Sequence, residues 1–108
     1  MTIGGSGRRA EIRFGRDTGA ELRPASGAGA SKGDATIYDL LLEMKSTVGR
    51  SLSVKFDWLT KITREARMEG RTPALVVAFV DDNGRPIRNG RWIMLREDDL
   101  ISILEARQ

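Results

Sequence analysis

Ile37-Tyr38-Asp39-Leu40-Leu41-Leu42-Glu43-Met44-Lys45 is the stretch on which the fold turns. This apolar run is entered from turn residues and left through Ser46-Thr47-Val48-Gly49. A run of that length between turn signals suits a buried strand better than a helix. Alternate residues of a strand share a face, so Glu43 and Lys45 project together.

On the C-terminal side, Leu52 and Val54 alternate with Ser51 and Ser53, which predicts another short strand. Phe56, Leu59, Ile62 and Ala66 then recur at helical spacing. They predict a helix from about Lys55 to Glu69, closed by Gly70. Ala74–Val80, after Pro73, is the clearest strand in the chain. Asp81-Asp82-Asn83-Gly84 reads as a hairpin turn, and Arg91–Leu95 as the returning strand. Glu97-Asp98-Asp99 places acid in the first turn of a final helix running through Leu100, Ile101, Ile103 and Leu104.

On the N-terminal side, residues 19–36 are rich in Gly, Ala, Ser and Thr with Pro24, and read mainly as loop, with a short strand around Ala20–Arg23. From Arg8 to Thr18 the large apolar residues are Ile12 and Phe14, so a short, weakly amphipathic helix is predicted, interrupted at Gly15. Residues 1–7 are Gly/Ser-rich and expected to fray. The expected order is α-β-β-β-α-β-β-α. It gives a mixed α/β fold, a small central mixed sheet flanked by helices, in one domain over residues 8–108.

The 108 residues suffice for one core, with 40% hydrophobic and 31% charged. The chain has no Cys and no His. Disulfides, thiolate or imidazole metal sites, cysteine nucleophiles and Ser-His-Asp catalysis are therefore excluded. Chemistry must come from carboxylates, Lys, Arg, hydroxyls or an oxygen-bound metal. No apolar run approaches the roughly 20 residues of a membrane span. No signal peptide precedes the polar start, so an intracellular (cytoplasmic) protein is expected.

The net charge is +3, and 14 of the 18 cations are Arg, which grips phosphate with two parallel hydrogen bonds. Arg8, Arg9, Arg13, Arg16, Arg23 and Lys32 face three acids, Glu11, Asp17 and Glu21, in the first third of the chain. An anionic polymer such as DNA fits that imbalance, as does an ordinary solvated surface.

Asp34 precedes Glu43 by nine positions (43 − 34). If residues 35–38 and 39–45 form adjacent antiparallel segments, its carboxylate returns beside Glu43 and Lys45. Two carboxylates, a backbone carbonyl and waters can hold Mg²⁺. Such an ion polarises a phosphodiester and acidifies water, and a nearby Lys orients that water or steadies the added charge. The plainer alternative is that Asp34 caps a turn while Glu43 and Lys45 pair on the surface. Asp39 reads as a strand residue opposite Leu40, and Trp58 and Trp92 as core or dimer packing. Asp81-Asp82 reads as a turn and Glu97-Asp98-Asp99 as a helix start.

Arg23-Pro24-Ala25-Ser26-Gly27-Ala28, Lys32-Gly33-Asp34 and Leu41-Leu42-Glu43-Met44-Lys45-Ser46-Thr47 together resemble the PD-(D/E)XK nuclease pattern. More narrowly, the chain looks like the Holliday-junction resolvases of archaeal type and their small phage relatives, over roughly residues 8–105. That resemblance implies a restriction-endonuclease-like core. It implies Asp34 and Glu43 as metal ligands, with the Met44 backbone carbonyl, and Lys45 as base or charge stabiliser. It adds Glu11 as a further ligand or water-positioner and Ser26 as the loop Ser at the substrate phosphate. Arg8, Arg9, Arg13, Arg16, Arg23 and Lys32 would contact DNA. Gly33 stands where the family has Pro, and the segment between Glu11 and Ser26 is short, so Glu21 competes for the Glu11 role.

The expectation is therefore a Mg²⁺-dependent (Mn²⁺ the alternative), structure-selective DNA endonuclease. It would resolve four-way junctions as a homodimer and recognise backbone shape rather than sequence. Another PD-(D/E)XK DNA nuclease, a non-catalytic DNA-binding module and a plain interaction domain are the competing readings.

Overall fold

A computed structural model describes residues 6–23 and 33–107. Five strands form one mixed sheet in the order β1-β2-β3-β4-β5. The chain runs α1 (Ser6–Thr18), β1 (Glu21–Leu22), β2 (Ala35–Ile37), β3 (Leu40–Thr47), α2 (Phe56–Met68), β4 (Thr72–Val80), β5 (Pro86–Leu95) and α3 (Glu97–Ala106). The mixed α/β expectation holds; the order of elements agrees in its letters only because one expected strand is split in two and another is absent. Among the described residues no helix is long and apolar enough to cross a membrane.

Two strands arise differently from the sequence reading. The run 37–45 is not one strand: a two-residue turn at Tyr38-Asp39 folds it into the β2–β3 hairpin, with Ile37 opposite Leu40. Asp39 is therefore a turn residue rather than a strand residue, and its carbonyl accepts a 2.8 Å hydrogen bond from Thr72 N–H. Leu52 and Val54 lie in no strand. The reason is topological. β3 ends at Thr47, and the segment leaving it runs on into the crossover helix without meeting a partner strand.

β3 and β4 are parallel, from Leu40↔Thr72 to Thr47↔Phe79, and α2 is their crossover. β4 and β5 form the hairpin expected around Asp81-Asp82-Asn83-Gly84. The Asp81 carboxylate accepts the N–H groups of Asn83 and Arg85 there, which holds its pKa below the usual carboxylate range.

Strand alternation sorts the core into two layers. Leu42, Met44, Ala74, Val76, Ala78 and Val80 point to the face covered by Ala10 and Phe14 of α1. Leu41 points the other way, against Ile62 and Ala66 of α2. Leu41, Leu42, Ile62, Leu75 and Val76 are fully buried side chains, each contributing about 1.5–3 kcal/mol of burial. α1 continues through Gly15 instead of breaking there, because β1 crosses close by. A Cβ on Gly15 would lie 3.2 Å from both the Ala20 carbonyl oxygen and the Leu22 side chain. Ile12, one of the two large apolar residues of the predicted helix, faces solvent while Phe14 is buried.

Candidate active site

β3 places Glu43 and Lys45 on the same face as Leu41, toward α2, as the period of two requires. Lys45 Nζ lies 3.4 Å from Glu43 Oε2 and 4.6 Å from the ring centroid of Trp58, on the first turns of α2. A cation over an indole face is electrostatically favourable, so the ring steadies the ammonium beside the carboxylate. Trp58 thus does more than pack against the core.

Asp34 arrives from the other side. β2 ends at Ala35, and Asp34 N–H still bonds the Leu42 carbonyl at 2.7 Å. One position further along, the Asp34 side chain replaces the missing strand: its Oδ2 accepts Met44 N–H at 2.7 Å. Hydrogen-bonding direction alternates along a strand, so the Met44 carbonyl also faces this side, away from β4. Gly33 makes the approach feasible. Its φ is +72°, and a Cβ there would meet the Leu41 side chain at 2.9 Å. Proline, locked near −65°, is excluded from this position.

Three carboxylates share the field of this corner. Burial is the main cause that pushes Asp34, Glu43 and Glu11 above the usual carboxylate range. The Asp34 charge raises Glu43 and Glu11 further, while Lys45 acts on all three in the opposite sense. Partly buried carboxylates that repel one another are an arrangement that a hard cation relieves. Glu11 extends from α1 and pairs with Arg8 at 2.8 Å. Glu21, its competitor in the sequence, is exposed on β1 and belongs to no such group.

Among the described residues no three acidic side chains converge as an all-protein metal cage. Glu11, expected as a third ligand, is held along its own helix by Arg8. What remains is Asp34, Glu43 and the Met44 carbonyl. These hard oxygen donors fit Mg²⁺, which takes one or two carboxylates and keeps several waters.

Of the predicted phosphate contacts, Arg8 holds Glu11, and Arg9 donates to the Asp82 carbonyl at 3.0 Å. Arg23 grips both oxygens of Glu69 at 2.7 and 2.6 Å, a pairing that lowers the Glu69 pKa. Arg13 is half-buried and Arg16 exposed on α1. Ser26 and Lys32 lie outside the described residues.

The sequence reading missed a row on α2. Lys61 Nζ is 3.8 Å from Glu43 Oε1 and 3.6 Å from Glu65 Oε2, and Glu65 is buried. The signal was there in outline. Trp58, Lys61 and Glu65 are spaced three and four apart, one row beside the apolar Leu59–Ile62–Ala66 stripe. No family model matches the chain, and neither a curated protein nor a solved structure does.

Proposed function

We propose that this chain is a Mg²⁺-dependent, structure-selective DNA endonuclease that resolves branched DNA, in the manner of a Holliday-junction resolvase. The observation that carries the reading is the Asp34–Met44 hydrogen bond. It fixes one half-buried carboxylate against the strand that bears Glu43 and Lys45.

A bound Mg²⁺ would offset charge on the scissile phosphate and acidify a water. Asp34, Glu43 and the Met44 carbonyl would hold it, with Mn²⁺ as substitute. Lys45, braced by Trp58, presents an ammonium that orients the attacking water or balances the extra negative charge at phosphorus. Arg8 at the head of α1, with Arg13 and Arg16, supplies positive charge for the flanking phosphates.

Paired cuts across a junction need two sites, and a second copy of the chain supplies the other. Edge strand β5 exposes Trp92 (63%), Ile93 and Met94. α3, attached to it, buries none of its residues and exposes Leu100, Ile101, Ile103 and Leu104. Trp92, read from sequence as core or dimer packing, is not core. By strand alternation Trp92 and Met94 share one face of β5, and that exposed apolar face is where a second copy would dock.

The deciding experiment incubates purified protein with a synthetic four-way junction and with the matching linear duplex, with Mg²⁺ or with EDTA. Symmetric Mg²⁺-dependent nicks in the junction alone support the reading. Equal cutting of the duplex points to a different nuclease, and binding without cutting to a non-catalytic module.

A further inference from the structure

We propose that Lys61 is the resident counter-cation of Glu43 and that Glu65 receives its ammonium when a divalent ion takes its place. This rests on the reading of Glu43 as a metal ligand. Each Glu43 oxygen has its own ammonium: Lys45 at 3.4 Å from Oε2 and Lys61 at 3.8 Å from Oε1. An incoming cation must displace one of them. Lys45 is held over the Trp58 ring and within the field of Asp34 and Glu11, so it stays with the cluster, whereas Lys61 is drawn away by a second carboxylate 3.6 Å off, one helical turn on.

Both Lys61 separations exceed the 2.7–2.9 Å of a committed charged hydrogen bond, so the ammonium is shared between the two acids. Glu65 has reason to take more of it. Its side chain is only 5% exposed, and its Oε1 is buried without a hydrogen-bond partner among the described residues. A buried carboxylate with one idle oxygen is costly, and a fully transferred ammonium relieves it. Lys61 itself is half-exposed and free to swing on its long stem.

Without metal, Lys61 therefore shields Glu43. With metal, it withdraws to Glu65 and leaves its charge close to the site. Two substitutions one turn apart should then move metal affinity in opposite directions. Lys61→Met removes the competing cation and should tighten binding. Glu65→Gln removes the place to which Lys61 retreats and should weaken it.

The test is calorimetric titration of Mn²⁺ into the full chain without DNA. Kd should fall about three- to tenfold in Lys61→Met and rise by a similar factor in Glu65→Gln, within the usual range of coupling between sites. Lys61→Arg should stay near wild type. An unchanged or weaker Kd in Lys61→Met overturns the proposal, and this exposed position decides it even if Glu65→Gln fails to fold. Parallel shifts in both variants overturn it as well. A wild-type chain that binds no Mn²⁺ removes the metal reading itself and this inference with it.

Discussion

The carboxylate of Asp34 accepts the backbone N–H of Met44, the residue between Glu43 and Lys45. A side chain thus completes a strand ladder at the point where its neighbouring strand ends, and the position of the acid is set by backbone geometry rather than by a flexible contact. Asparagine can accept the same bond through its amide oxygen. Asp34→Asn should therefore keep the fold and junction binding while cleavage falls at least about a hundredfold. Single-turnover cutting, beside a melting curve and a gel-shift assay, checks this. Cutting at the wild-type rate would remove Asp34 from the site.

Glu43→Gln should be more thermostable than wild type at pH 8, by a few degrees. Burial and the Asp34 charge hold the folded pKa of Glu43 above its unfolded value, so the folded state binds the proton more tightly. Wild type is then at no disadvantage below the ordinary carboxylate range. It loses stability as pH rises through that range to the raised folded value. The gap between variant and wild type should open with rising pH and close near pH 4, measured by thermal melts without metal. A variant less stable than wild type at pH 8 contradicts the direction.

Gly33→Pro should destabilise the chain by about 3 kcal/mol or more, since the backbone there needs a φ that proline cannot reach. Gly33→Ala should also lose stability, through the left-handed φ and the close Leu41 side chain. Urea unfolding midpoints provide the comparison. A wild-type midpoint for the proline variant would mean that Asp34 is reached by another backbone path.

Trp92→Ser should convert a dimer into a monomer in sedimentation velocity at micromolar concentration. Its loss takes the largest side chain from the exposed β5 surface. Junction cuts by the variant should become single nicks instead of pairs. A wild-type chain that sediments as a monomer would refute the dimer outright.

Periodicity made much of this architecture legible. α2, β4, β5 and α3 follow from helical spacing, an unbroken apolar run, a turn of Asp, Asn and Gly, and an acidic helix start. The Tyr38-Asp39 turn entered the sequence reading only as a condition for the return of Asp34, because Tyr38 takes a φ of 53° without the Gly or Asn that usually marks it. Leu52 and Val54 misled because alternation alone does not say whether a segment meets a partner strand. In the site, Glu43 and Lys45 share a face by the strand period alone, and Asp34 needed only the local hairpin. Helical spacing puts Lys61 and Glu65 one turn apart, but their place beside Glu43 depends on how the crossover helix docks and is tertiary.

The parallel pairing of β3 with β4 also orders events in time. The β2–β3 hairpin closes over two residues and brings Asp34 and Glu43 to one corner early. Lys61 arrives only after the longer excursion through α2 has docked, a slower and non-local step. The acids therefore meet first with Lys45 of the same hairpin beside them, and the second ammonium, Lys61, closes the corner last. A half-finished chain has its two carboxylates in place before it has the packing that screens them from water.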